Sequence, residues 1–476
     1  MQEGFKKSAL VFTILAVILF VGLTMAEHAM EGAESKPVPA WLVVPFVLLL
    51  GSIAVMPFIS RHWWEHNYPN VSYGLGLLIV LYYIFILDNT PRLLLTFHEY
   101  VSFICLIGSL FIVSGGIHLD IRGKSAPYEN IILLAAGAVI SNLLGTTGAS
   151  MLLIRPYLRI NKFRIKAYHV VFFIFIVSNV GGALTPIGDP PLFLGYLKGV
   201  PFFWVVTRVW HIWAIVVTAL LVVFYFIDSR EFRAVQSEMR EEAKSPDKPE
   251  FSGLHNIFYL AVILGAVFIS HPVMVREILM GAAALASYYT TKREVHEKNE
   301  FNFVPIKEVS ILFAGIFATM IPALDWLELN SQTLGIVSPA QYYWGTGILS
   351  SVLDNAPTYL NFLSASFGLH GASVDNLSHM SAMLGVETPA SLGLPVPLHD
   401  GVQAITADSW RYIQAISVAA VFFGACTYIG NGPNFMVKSI AEHAKVEVPS
   451  FFGYVVKFAL PILIPIYAAV WLLFFQ

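Results

Sequence analysis

The sequence predicts an all-α polytopic membrane protein with about 11 transmembrane helices plus two re-entrant helix hairpins in inverted-topology repeats. Three observations predict it. The 476-residue chain is 57% hydrophobic and only 12% charged, with a mean hydropathy of +0.69, whereas a soluble domain carries roughly 25% charged residues. Its apolar runs recur at lengths that cross ~30 Å of hydrocarbon. Its scarce basic residues fall on one side of the resulting layout. This composition excludes a disordered chain, a nucleic-acid binder and an ordinary cytosolic enzyme, so the bilayer is an expected partner and nucleic acid is not. The net charge of −3 says nothing further.

Residues 1–40 hold Lys6-Lys7, an apolar run over 8–26 and an outer loop. The run reads as a leading transmembrane helix; Thr24-Met25-Ala26 before Glu27 also fit the end of a cleaved signal peptide. The first repeat, 41–227, has spans at 41–60, 71–88, 93–114, 168–196 and 210–227, with a broken apolar stretch at 131–157. A linker rich in Glu, Lys and Arg, expected to be cytoplasmic and solvated, occupies 228–254. The second repeat, 255–476, has spans at 256–270, 274–290, 308–324, 411–437 and 452–475, with a broken stretch at 341–367. Polar and small residues interrupt both stretches midway, so each reads as a hairpin that enters and returns on one side. Cys105 and Cys426, each inside an apolar run with no metal-ligand spacing, read as packing residues.

Charge placement supports the layout. With a cytoplasmic N-terminus and two hairpins, 21 of the 28 basic residues lie inside, while Lys36, Arg92, Lys198, Arg208, Arg276 and Arg411 lie outside. Had either broken stretch crossed fully, everything downstream would invert and the bias would vanish. Each repeat has an odd number of spans, so the second is inverted: hairpin 131–157 opens inward and hairpin 341–367 outward. A multi-pass protein of a cell's inner (cytoplasmic) membrane is expected, with its C-terminus outside.

The repeats leave a trace in the sequence. The first hairpin tip reads Ser141-Asn142-Leu143-Leu144-Gly145-Thr146-Thr147-Gly148, and the following span is interrupted by Leu184-Thr185-Pro186-Ile187-Gly188-Asp189-Pro190-Pro191. The second tip reads Leu353-Asp354-Asn355-Ala356-Pro357-Thr358, and its span is interrupted by Ile429-Gly430-Asn431-Gly432-Pro433-Asn434. Aligned, the tips share Ser/Asp-Asn and the interruptions share Ile-Gly-Asp/Asn-x-Pro. Pro removes a backbone donor and Gly adds backbone freedom, so these segments cannot stay helical. Unwound backbone at membrane depth is tolerated only in protein or along a cavity, where helix ends offer carbonyls to cations and amides to anions. Pro/Gly kinks are also ordinary packing devices; four of them paired by a repeat favour a site.

Asp189 and Asp354 fall in these interruptions. An acid at a helix centre costs roughly 2.5–3.5 kcal/mol on insertion scales, so it tends to line a cavity or an ion path. Burial raises a carboxylate's pKa toward neutrality, which lets a proton and a metal cation compete for one site. Asp189 and Asp354 are thus the proton-carrier candidates, against a bland reading in which each only accepts backbone amides. Asp88, Asp120 and Asp325 fall at span ends and read as interfacial. His98 and Glu99 sit one turn inside a span, as a secondary relay or as packed side chains. The basic run from Arg155 to Lys166 reads as a lipid-headgroup anchor.

Ser141-Asn142 with Gly145-Thr146-Thr147-Gly148-Ala149-Ser150, and Gly181-Gly182-Ala183-Leu184-Thr185-Pro186-Ile187-Gly188-Asp189-Pro190-Pro191, resemble NhaD-type sodium/proton antiporters. Those belong to the ion transporter superfamily, which also holds citrate and dicarboxylate carriers and arsenite efflux pumps. The resemblance covers nearly the whole chain. It implies a homodimer in which a transport region carrying the hairpins moves against a scaffold. Carried over by position, it implies a first site at Ser141, Asn142, Thr146, Thr185, Gly188 and Asp189, and a second at Asp354, Asn355, Thr358, Asn431 and Asn434. Na⁺ would bind on these same residues as a transported or coupling ion, with no resident cofactor. The dicarboxylate carriers typically show Ser-Asn-Thr at both tips; here Leu143 replaces the first Thr and the second tip begins with Asp354. An added carboxylate repels a di- or trianion, which favours exchange of Na⁺ or Li⁺ for H⁺ over sodium-coupled uptake of citrate or another carboxylate. Arsenite-type efflux is the third reading. An intramembrane enzyme has no His-Glu-x-x-His or Gly-x-Ser-x-Gly motif behind it.

Overall fold

The computed structural model describes residues 33–121, 123, 125–234, 250–387 and 402–476. The leading run 8–26, most of the linker and part of 368–410 lie outside the described residues. What is described is a helical membrane protein, with eight helices long and apolar enough to cross a bilayer. A 3₁₀ turn leads into α1 (Val44–Ile59), followed by α2 (Arg61–Phe85) and α3 (Thr90–Gly115). Helix α4 (Pro127–Ile160) precedes α5 (Ala167–Ile176), α6 (Pro190–Leu197) and α7 (Phe202–Ala234). The second half begins with α8 (Asn256–Val267), α9 (Val275–Thr290), α10 (Arg293–Lys298) and α11 (Val304–Asn330). It continues through α12 (Pro339–Val352), α13 (Asn355–Leu369), α14 (Leu377–Met383), α15 (Trp410–Phe423) and α16 (Gly432–His443), and ends in α17 (Phe451–Phe475). Pro91, Pro127, Pro190, Pro305, Pro339 and Pro433 stand in the first turns of their helices, where a missing N–H costs nothing.

The one departure from all-helical structure among the described residues is a two-stranded ribbon. His118–Asp120 pairs antiparallel with Glu250–Ser252, His118 opposite Ser252. Helix α7 also runs past 227 to Ala234, because Asp228 is fully buried against Arg164 and does not stand in solvent.

Helix α4 is two arms, not one rod. Gly145 adopts φ 72°, ψ 158°, a region essentially confined to glycine. Asn130 and Asn161 exchange amide hydrogen bonds at 2.9 and 2.7 Å. A straight helix would hold residues 31 apart about 46 Å from each other at 1.5 Å per residue. The arms 127–144 and 146–160 therefore run antiparallel, with Gly137 facing Leu153. Helices α12 and α13 make the second hairpin, turning at Leu353-Asp354, with Tyr342 and Phe362 rings 6.2 Å apart across the arms.

Both spans expected to be interrupted are interrupted. After α5 comes a 3₁₀ turn (Val180–Leu184) and a non-helical stretch before α6; after α15 comes the turn Gly424–Cys426 before α16. Helix α5 is buried from Tyr168 to Ile176, as its largely apolar sequence requires, with His169 and Tyr168 turned to Asp228, and it leads into the first interruption. Helices α2 and α11 also approach each other closely, and Ser72 Oγ donates to Ile311 O at 2.7 Å, the small-residue packing typical of membrane helices.

Candidate functional site

Asp189 is the centre of the site. It precedes Pro190, which excludes helical backbone at that position, and it is extended (φ −145°, ψ 145°) and only 1% exposed. Its Oδ1 accepts from Thr146 Oγ1 at 2.6 Å and from Asn431 Nδ2 at 2.9 Å; its Oδ2 accepts from Asn355 Nδ2 at 2.6 Å. Thr146 follows the Gly145 turn, Asn355 opens α13, and Asn431 is the extended residue before α16. Both hairpin tips and both interruptions thus converge on one carboxylate.

The two halves are built alike around it. Thr185 Oγ1 donates to Asn142 O at 2.6 Å and accepts from Gly188 N at 3.1 Å; Thr427 Oγ1 donates to Ser351 O at 2.5 Å and accepts from Gly430 N at 3.1 Å. Ser141 Oγ donates to Val177 O at 2.7 Å, and Ser350 Oγ to Ala420 O at 2.6 Å. Asp189 therefore matches Asn431, as the Ile-Gly-Asp/Asn-x-Pro alignment expects. The tip alignment needs correction: Ser141-Asn142 corresponds to Ser350-Ser351, and Asn355 corresponds to Thr146. The slip is about one helical turn, which keeps residues on the same helix face and so hides in sequence.

The other expected residues surround the centre without hydrogen-bonding to the Asp189 carboxylate. Asn142 Nδ2 donates to Ala138 O at 3.0 Å and Gly181 O at 2.7 Å, and its Oδ1 accepts from Leu184 N at 2.9 Å, pinning the unwound segment to the hairpin. Gly188 O accepts from Thr146 N at 2.8 Å. Asp354 is half-buried and caps α13, accepting from Ala356 N at 3.0 Å, while Thr358 Oγ1 donates to Asp354 O at 2.9 Å. Asn434 Nδ2 donates to Gly424 O and Thr427 O at 2.8 and 2.9 Å, and its Oδ1 accepts from Asn179 Nδ2 at 2.6 Å. Asn179 and Ser178 are residues the sequence reading missed; their signal is a polar pair inside an apolar run, just before Gly181-Gly182.

A small cavity of about 20 Å³ reaches Asp189 between α3 (Leu106, Leu110, Phe111) and the first tip (Gly145, Thr146). Asp189 is the one ionisable side chain in its lining among the described residues.

Of the buried ionic clusters that stand apart from this centre, two bear on the sequence reading. In one, Asp325 is wholly buried, which corrects its interfacial reading: its carboxylate takes Arg92 at 2.8 Å and Tyr83 Oη at 2.7 Å. Arg92 also pairs with Asp375, and Lys198 Nζ lies 2.5 Å from Asp375 and 2.6 Å from Glu99. In the other, Arg164 is turned into the protein against Asp228, with Tyr168 Oη donating to the same carboxylate at 2.7 Å. Arg164 is thus a structural ion-pair partner and not a headgroup anchor.

Broken helices and hairpins that meet at a central polar site are an architecture many secondary transporters use. The chain belongs to the family described as "putative citrate transport", whose model matches residues 35–475. It is similar to uncharacterized transporters of Mycobacterium bovis and Mycobacterium tuberculosis, each 25% identical over 380 residues that cover 74% of this chain and 79% of the relative.

Proposed function

We propose that this protein exchanges Na⁺ or Li⁺ for H⁺ by alternating access, with Asp189 as the shared cation and proton ligand. One observation carries the reading: Asp189 is buried, meets only the neutral side chains Thr146, Asn355 and Asn431, and shares its cavity lining with no cationic residue among those described. A dry carboxylate without a fixed counter-charge is costly to keep ionised, so it binds either a proton or a metal cation, and that competition is antiport once access alternates. Asp354, at the second tip, is the second proton carrier in this reading. In this reading both hairpins are re-entrant, and the protein works in the inner membrane as a homodimer. The cavity follows the C-terminal half of α3, which is the cytoplasmic half in the proposed topology, and in this reading it is the inward side of the access path.

The family description favours a second reading, sodium-coupled uptake of citrate or another carboxylate. A trianion entering this cavity would meet a carboxylate and no fixed positive charge, which is why we prefer cation exchange. In everted membrane vesicles, Na⁺ and Li⁺ should collapse an imposed pH gradient with the wild type and not with Asp189→Asn. The absence of any Na⁺-evoked signal across the pH range, together with Na⁺-dependent accumulation of labelled citrate, would replace the first reading with the second.

A further inference from the structure

We infer that the contact between α3 and the second arm of the first hairpin is a seam that parts, and that two ion pairs, Arg159–Asp120 and Arg155–Glu300, latch it at the cytoplasmic surface. The inference uses the topology proposed above and holds whatever ion or substrate Asp189 receives.

The seam begins at the cavity. Leu110 and Gly145 line the cavity from its two sides, and a β-carbon on Gly145 would lie 3.7 Å from Leu110 Cδ1. About one turn further along each helix, a β-carbon on Gly148 would lie 2.6 Å from Ser114 Oγ, so only glycine lets the arm approach α3 this closely. Gly148, Arg155 and Arg159 follow at spacings of seven and four residues, which keeps them on one face of the arm. That face reaches the surface at the two pairs. Arg159 Nη1 lies 2.9 Å from Asp120 Oδ1, and Arg155 Nη2 lies 3.1 Å from Glu300 Oε2. Asp120 stands in the ribbon just after α3 and Glu300 between α10 and α11, so both pairs tie the hairpin to elements outside it. These two arginines are spent within the chain and not on lipid headgroups.

Two polar groups along this seam have no hydrogen-bond partner among the described residues. Ser114 is 1% exposed and its Oγ is unpaired; Arg155 Nη1 is buried and unpaired as well. Buried polar groups are rarely left so, and a charged donor is costlier to strand than a neutral one. A permanent contact has no use for two such groups. In a contact that water enters whenever it opens, both are satisfied in the open state. The latch suits that cycle, because the Glu300 side chain is 76% exposed and that of Arg159 43% exposed, and pairs so exposed are weak and screened by salt. At the outer end of α3, by contrast, Lys198–Glu99 and Arg92–Asp325 are almost wholly buried, and parting such pairs strands a charge. The cytoplasmic side is therefore the one that opens readily.

The test reads Ser114→Cys in the full-length chain carrying Cys105→Ala and Cys426→Ala, labelled by a membrane-impermeant cationic methanethiosulfonate. Everted vesicles present the cytoplasmic face to the reagent, and right-side-out vesicles the outer face. Labelling from the cytoplasmic face is expected. It should become about fivefold or more faster when Asp120→Asn and Glu300→Gln remove both pairs, as the loss of two weak pairs allows. Raising KCl from about 0.05 to about 0.5 M should speed labelling of the parent chain and leave that double variant unchanged. Exchanging the charges, Arg159→Asp with Asp120→Arg, should slow labelling relative to Asp120→Arg alone, which a merely damaged fold would not do. Size-exclusion elution like the parent chain establishes folding, and where the pair variants fail it the salt series on the parent decides alone. A folded Ser114→Cys chain that labels from neither face, or no faster from the cytoplasmic face than from the outer, would overturn the inference. So would a labelling rate that stays within about twofold through salt and neutralisation. Na⁺-evoked proton movement in such a chain would leave the reading of Asp189 standing, so the two failures are separate.

Discussion

At the residue scale, the carboxylate of Asp189 is held by side chains and the loop around it is held by Asn142. The two roles predict different phenotypes. Asn142 makes three bonds to backbone atoms and none to Asp189, so Asn142→Ala should lower stability by about 2–4 kcal/mol, summing ordinary hydrogen bonds. A thermal melt in detergent checks this, alongside an unchanged Na⁺ half-saturation in the protein that remains folded; weaker Na⁺ binding at unchanged stability would make Asn142 a ligand instead. Asp189 and Asn431 were legible in the sequence because an acid and an amide between Gly and Pro, deep in an apolar run, are expensive unless used. Thr146 was legible only as part of a polar tip, since the tip alignment put Asn142 opposite Asn355. Asp325 could not be read correctly, because its partners Arg92 and Tyr83 are more than two hundred residues away in the chain.

At the element scale, the first hairpin depends on Gly145. Its backbone conformation is closed to other residues, and a β-carbon there would also lie 3.2 Å from Ile187 O. Gly145→Ala should therefore cost about 1–3 kcal/mol of strain and displace Thr146 from Asp189. Lowered thermal stability with reduced cation-evoked flux is the expected pair of results; a variant that melts and transports like the wild type would show that the arms do not turn there. The broken helices and hairpin limits were readable, since Gly, Pro and polar residues interrupt runs that are otherwise continuous. The closure of the hairpin's base was not. It is made by Asn130, Asn161 and, beside them, Arg164 and Asp228, ordinary polar residues that read as surface until the fold brings them together.

At the scale of the whole molecule, the cavity and the larger ionic cluster lie toward opposite ends of α3. Leu106 to Phe111 line the cavity, while Arg92 and Glu99 belong to the cluster. Lys198, at the end of α6, ties that helix to α3 through Glu99 and to the segment after α13 through Asp375. Removing one member of a buried ion pair typically costs about 3–5 kcal/mol, because the partner is left charged and alone. Lys198→Met should fall in that range by thermal or chemical melting, and adding Glu99→Gln should recover part of it. Additive losses in the double-mutant cycle would mean that the pair is not coupled. The likeness of the two halves was legible from the paired motifs, whereas the meeting of both halves on a single carboxylate needed the three-dimensional structure, since neither half alone supplies all of its partners.

The central claim is that Na⁺ and H⁺ compete for Asp189. The most direct measurement is proton release from the purified protein in weakly buffered detergent solution on addition of NaCl or LiCl, with choline chloride and sodium citrate as controls. The account predicts a saturable release with Na⁺ and Li⁺, no release with choline, no added effect of citrate and no release from Asp189→Asn. A wild type that releases no protons on Na⁺ addition, or an Asp189→Asn variant that releases as many as the wild type, would contradict it.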